Sequence, residues 1–66
     1  MTVTINGKVK EIGDNLNLEE LLVLLSRANP DIIVELNGKI IPKEKRKDYK
    51  LNQEDRLELI QLVGGG

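Results

Sequence analysis

From Asn17 to Leu25 the sequence runs Asn-Leu-Glu-Glu-Leu-Leu-Val-Leu-Leu, a helix whose start is written out in full. Asn17 suits the N-cap and Glu20 the N3 position of a capping box, while Leu16 and Leu21 occupy the two positions of a hydrophobic staple. Leu18, Leu21, Leu22 and Leu25 follow the i, i+3, i+4, i+7 spacing and make one apolar stripe. Glu19 in the first turn and Arg27 near the last complement the helix dipole, and Pro30 is expected to stop the helix. No second helix of this quality follows, and strand-like sequence lies on both sides. One helix with one stripe has to cover one face of a sheet, which gives an α+β class in two layers. Strands before and after the helix require a crossover, so part of the sheet is expected to be parallel.

The strands are punctuated by two copies of the same turn signal. Thr2-Val3-Thr4-Ile5 alternates with period two and places Val3 and Ile5 on one face. Asn6-Gly7 follows, the dipeptide favoured where both central residues of a tight hairpin need positive φ. Lys8 to Ile12 returns as the second strand, with a bulge or a strand end expected near Glu11 because Val9 and Ile12 are three apart. Ile32 to Leu36 reads as a largely buried strand, Asn37-Gly38 repeats the turn, and Lys39-Ile40-Ile41 makes a short partner strand ended by Pro42. Residues 43–50 are polar and read as a loop or one helical turn, with Leu51 as an anchor beneath it. Asn52 to Asp55 has turn composition, and Arg56 to Val63 is the last strand.

Composition narrows the chemistry. The chain of 66 residues contains no His and no Cys, so no Cys/His zinc site, thiol nucleophile or imidazole base can be assembled from it. Ser26 is the only serine, and without histidine a Ser-His-acid triad cannot form. Ten basic and eleven acidic residues leave a net charge of −1, so nothing draws the whole chain to nucleic acid. The longest apolar run, Leu21 to Leu25, falls far short of the roughly 20 residues that a membrane span needs. The sequence before Asn6 also lacks the basic and apolar regions of a secretory signal. The expectation is a soluble cytoplasmic domain over residues 1–66 that is not itself an enzyme.

Two features carry more information. In the last strand Leu57 and Leu59 alternate with Glu58, but from Ile60 the pattern is apolar on both faces. If Leu57 and Leu59 face the helix, Ile60 and Leu62 face outward as an apolar patch for a partner, with Val63 beside the tail. The other packing has the sheet twist here so that these side chains cover the far edge of the core. Gly64-Gly65-Gly66 then follow. Three residues without Cβ reach at most about 10 Å, enough for a flexible tip to enter a narrow channel while the folded body stays outside; an unstructured end or a linker stub is the plainer reading. The second feature is a basic run, Lys43, Lys45, Arg46, Lys47 and Lys50. With Glu44 and Asp48 interspersed it is expected to be a solvated loop, a docking patch for an acidic partner being the alternative.

Taken together, Ile5-Asn6-Gly7-Lys8, Asn17-Leu18-Glu19-Glu20-Leu21-Leu22, Val34 to Lys43, Asp55 to Leu59 and the closing Val63-Gly64-Gly65-Gly66 cover nearly the whole chain. That pattern resembles the ThiS family of thiamin-biosynthesis sulfur carriers. The resemblance implies a ubiquitin-like β-grasp: a mixed sheet of four to five strands packed on one main helix, monomeric when free. It also implies that Gly66 is the reacting group. An adenylating, ubiquitin-activating-like enzyme (ThiF) would use ATP and Mg²⁺ to turn its carboxylate into an acyl-adenylate, and the chain itself would bind no cofactor. A sulfur donor such as a cysteine desulfurase would lead to a thiocarboxylate, which thiazole synthase (ThiG) would consume. Gly64 and Gly65 would pass through the enzyme channels, and Ile60, Leu62 and Val63 would dock. Two alternatives stay open: a carrier like the small subunit of molybdopterin synthase, and a non-covalent ubiquitin-like interaction module. Two positions depart from the family: Leu62 stands near the tail where an aromatic residue is common, and the other lies in a turn. Glu54 stands where the family often carries Gly in the turn before its last strand, and positive φ is costly for Glu but not for Gly.

Overall fold

The computed structural model describes residues 1–61. Strands β1 (Thr2–Ile5) and β2 (Lys8–Glu11) form the first hairpin, helix α1 (Leu18–Leu24) follows, β3 (Ile32–Leu36) and β4 (Lys39–Ile41) form the second hairpin, and β5 (Arg56–Gln61) comes last. The sheet order is β2-β1-β5-β3-β4. β5 therefore sits at the centre, parallel to β1 and antiparallel to β3, while each hairpin supplies one edge. The expected parallel pairing is the β1–β5 pair, made after the chain has crossed over through α1.

Both Asn-Gly turns adopt the conformation that the dipeptide favours, with φ of 50° and 81° at Asn6 and Gly7, and 51° and 86° at Asn37 and Gly38. The β1–β2 register runs unbroken from Ile5↔Lys8 to Thr2↔Glu11, so of the two outcomes expected near Glu11 the strand ends there. The helix-facing positions of the three central strands are Val3, Ile5, Ile32, Val34, Leu36, Leu57 and Leu59, all buried with Leu18, Leu21 and Leu22 of the helix stripe; Leu25 packs half-buried against them. At about 25 cal/mol per Å² of apolar surface removed from water, this shared cluster is the main stabilising term. Leu51 closes it from beneath, because the amide of Leu51 donates to the carbonyl of Leu16, and the amide of Leu18 to that of Tyr49.

The capping box is formed in full: the amide of Glu20 donates to Asn17 Oδ1 (2.8 Å) and the amide of Asn17 to Glu20 Oε1 (2.9 Å). The end of the helix differs from expectation. It stops at Leu24, well before Pro30, because Ser26 takes a left-handed φ of 58°. The amide of Ser26 then donates to the carbonyl of Val23 and that of Arg27 to Leu22, the paired bonds of a Schellman turn. Arg27 thus lies past the cap rather than in the last turn, where no basic residue stands.

The basic run takes the helical form, one of the two expected for it, and departs from the expected solvated loop at one residue. Residues Lys43–Asp48 form a 3₁₀ helix, and Arg46 leaves the solvated face altogether. It is 2% exposed, donating from Nη1 to the carbonyl of Asn29 (3.2 Å) and from Nη2 to that of Ile32 (2.7 Å). The polar segment is held against the body by this guanidinium, which ties it to the α1–β3 connection at Asn29 and to the start of β3 at Ile32. Glu54 adopts φ 68°, the conformation in which the family's Gly would be unstrained.

Candidate functional site

The last strand organises everything near the expected tip. Leu57 and Leu59 point into the core, and the alternation puts Arg56, Glu58 and Ile60 on the opposite face. Of the two packings open for Ile60, the outward one is found: it is 49% exposed. Across the strand it is paired with Ile33, which is half-buried. Ile40 of β4 stands on the same face opposite Glu35, and is also exposed. The outer face of the sheet thus carries Ile33, Ile40 and Ile60, with Glu35 and Glu58 directly opposite each other one rung further along. Ile33 and Ile40 were missed as site residues because each reads as an ordinary strand residue. The signal that would have found them is their phase, since both fall out of step with the buried positions of their own strand. Leu62, Val63, Gly64, Gly65 and Gly66 lie outside the described residues.

Both turn asparagines do more than turn. β1 and β5 pair only over Thr4↔Arg56 and Ile5↔Leu57, and past that point β1 has ended. There Asn6 takes over. Its backbone amide donates to the carbonyl of Leu57 (2.9 Å), its Oδ1 accepts from the amide of Leu59 (2.7 Å), and its Nδ2 donates to the carbonyl of Leu59 (3.3 Å). The side chain replaces the next rung of the ladder. At the other end of β5, Asn37 Oδ1 accepts from the amide of Arg56 and Asn37 Nδ2 donates to Asp55 Oδ1, both at 2.9 Å. Asp55 is buried and also accepts from the amide of Asn52. The strand leading to residue 62 is therefore fixed at both ends by hairpin turns that lie far away in sequence.

A cleft of about 330 Å³ opens beside the Asn6 clamp, lined by Ile5, Asn6, Lys8, Lys10, Leu25, Arg27 and Leu59. None of the lining residues is acidic. Among the described residues there is no group of three or more His, Cys, Asp or Glu placed to hold a metal ion, and no helix long and apolar enough to cross a membrane. The chemistry on offer is recognition: a central strand held rigidly up to Gln61, an apolar patch on one side and a cationic cleft on the other.

Comparison with known proteins adds the following. The model of the ThiS family matches residues 3–66. The chain is 38% identical over 63 residues to the sulfur carrier protein ThiS of Bacillus subtilis, covering 94% of this chain and 96% of that one. It is also 32% identical over all 66 residues to a thiazole synthase of Paramagnetospirillum magneticum, of whose length it spans 20%. The crystal structure of a thiamine biosynthesis protein (ThiS) from Geobacter metallireducens superposes with a TM-score of 0.86 at 33% identity, with both chains fully covered.

Proposed function

The chain belongs to the ThiS family and is a sulfur carrier of thiamine biosynthesis; from that premise we propose that residues 1–66 act as one carrier domain whose reacting group is the carboxylate of Gly66. A carboxylate is a poor electrophile. An adenylating partner that holds ATP and Mg²⁺ removes that difficulty: a carboxylate oxygen attacks the α-phosphate, pyrophosphate leaves, and Gly66 becomes an acyl-adenylate. The terminal sulfur of a persulfide on a donor such as a cysteine desulfurase then displaces AMP to give an acyl disulfide. A second thiol attacks the donor-side sulfur, leaving a thiocarboxylate at Gly66 and a disulfide on the donor side. Thiazole synthase consumes that sulfur and returns the carrier. In this reading the chain needs no catalytic side chain and no bound cofactor, since its own backbone is the substrate.

The observation that carries the proposal is the placing of β5. A central strand, paired on both sides and clamped by Asn6 at Leu59, directs the chain towards Gly64, Gly65 and Gly66 from a rigid base. A tip of three glycines then spans at most about 10 Å, so the enzyme must dock the body closely to reach its end. Ile60, extended by Ile33 and Ile40 on the same face, supplies apolar area for that docking, and Leu62 and Val63 are assigned to the same contact. The thiazole synthase of Paramagnetospirillum magneticum, which contains a stretch similar to this whole chain, supports thiazole synthase as a partner.

The test is mass spectrometry of the chain after incubation with the adenylating enzyme, ATP and a sulfur source. The expected product carries sulfur in place of one oxygen at Gly66. An unmodified Gly66, under conditions that convert the Bacillus subtilis carrier, would overturn the proposal.

A further inference from the structure

The cationic cleft is built from parts that no local rule brings together. Lys8 and Lys10 lie opposite Ile5 and Val3 in the β1–β2 register, so they are on the helix-facing side of the sheet. They remain exposed there because α1 is only seven residues long and does not reach across β2, an edge strand with no buried residue. Arg27, presented by the Schellman turn at Ser26, lines the same cleft. Its apolar lining is Ile5, Leu25 and Leu59, and Asn6 lines it too while clamping Leu59. Inward-pointing lysines on an edge strand protect it against pairing with other chains, and that accounts for Lys8 and Lys10. It does not account for Arg27 joining them in a cleft whose other lining is apolar save for Asn6, with no carboxylate among the lining residues.

Resting on the carrier reading above, we propose that this cleft docks an acidic segment of the adenylating partner, one that places an apolar side chain against the apolar lining between carboxylates directed at Lys8, Lys10 and Arg27. The charge pattern selects this occupant, and the chemistry of the step explains its use. Adenylation has to bring the carboxylate of the tail beside the phosphates of ATP, anion against anion. Attraction between the carrier body and an acidic partner surface offsets that repulsion and steers the encounter. The cleft sits beside Leu59, two residues before the end of β5, where attraction on the body translates directly into placement of the tip.

The experiment measures ATP–pyrophosphate exchange by the purified adenylating enzyme against concentration of the full chain, at several salt concentrations. Lys8→Glu, Lys10→Glu and Arg27→Glu combined is compared with the neutral Gln triple at the same positions, and with Lys43→Glu, Lys45→Glu and Lys47→Glu on the 3₁₀ segment. The control carries the same charge change away from the cleft. At low salt the cleft reversal is expected to raise KM by about 10–100-fold with kcat within about twofold, and the Gln triple to fall between it and the parent chain. The control triple should stay within about threefold. Salt should raise the parent's KM and flatten the difference. An equal rise in both reversed triples, or an unmoved KM in the cleft variants while the parent is adenylated, overturns the inference and leaves the carrier reading standing. A parent chain that supports no exchange at all sinks the carrier reading instead.

A second measurement does not depend on that reading: an NMR titration of the full chain with a Glu-Leu-Glu peptide, which should move the amides of Lys8, Lys10, Arg27 and Leu59. Shifts centred on residues 43–47, equal shifts with inorganic phosphate or ATP, or self-association lost in the cleft variants would each assign a different occupant and overturn the proposal.

Discussion

Ser26 and Glu54 hold left-handed backbone, with φ of 58° and 68°, and neither has a side chain suited to it. For residues bearing a Cβ this region costs roughly 1–2 kcal/mol, offset in part by the freer unfolded chain that Gly would bring. Ser26→Gly and Glu54→Gly are each expected to stabilise the domain by about 0.5–1 kcal/mol, raising Tm by about 3–6 °C in a chain of this size. They lie in different turns, so calorimetry of the double variant should show the two gains adding. Arg46 makes the opposite point. It is a charge buried with no carboxylate partner among the described residues, its Nε unbonded, holding the carbonyls of Asn29 in the α1–β3 connection and Ile32 at the start of β3. Removing it leaves a cavity and exposes those acceptors to loss of their donors. Arg46→Ala should lower stability by about 2–4 kcal/mol in urea unfolding, whereas Lys45→Ala and Lys47→Ala, exposed in the same segment, should change it by less than about 0.5 kcal/mol.

Among the elements, β5 depends on the hairpins that flank it. Gly at either turn asparagine keeps the positive φ and removes only the side-chain bonds, so Asn6→Gly and Asn37→Gly separate the clamp from the turn. Each is expected to cost about 1–2 kcal/mol. Amide exchange should locate the damage, accelerating at Leu59 in Asn6→Gly and at Arg56 in Asn37→Gly; acceleration spread evenly over β5 in both would show that the clamps act only through global stability. This level also shows how far the sequence could be read. The capping box, the Leu stripe, both turns and the parallel pairing were legible because they depend on residues a few positions apart, or on the chirality of the crossover. The outward phase of Ile60 was legible as one of two packings. The stop at Ser26 was not, since nothing in a lone Ser announces left-handed backbone and Pro30 offered a stronger local signal. The burial of Arg46 was equally hidden, because the carbonyls that accept from it become neighbours only after α1 and β3 pack. The clamps and the cleft join residues 6, 8, 10 and 27 to 59, separations that no spacing rule addresses.

For the whole molecule, the proposed carrier cycle gives the body and the tip different duties, and kinetics can separate them. If the body docks, damage to its outer face should appear in the concentration dependence of the reaction. If the tip reacts, damage there should appear at saturation. Ile60→Glu places a charge in the exposed patch beside Ile33 without touching the buried cluster, and its Tm should move by only a few degrees. It is expected to raise KM for the adenylating enzyme by roughly 10-fold or more, as loss of an apolar anchor does, with kcat little changed. Removal of Gly65 and Gly66 should leave Tm within a degree or two, because the two glycines carry no side chain and the buried cluster among the described residues lies between Val3 and Leu59, yet no concentration of the shortened chain should yield product. The shortened chain keeps the docking surface, so it should also inhibit the intact carrier competitively, with an inhibition constant close to the intact chain's KM where binding is at equilibrium. A shortened chain that fails to compete would mean that the glycines, rather than the sheet, supply most of the binding.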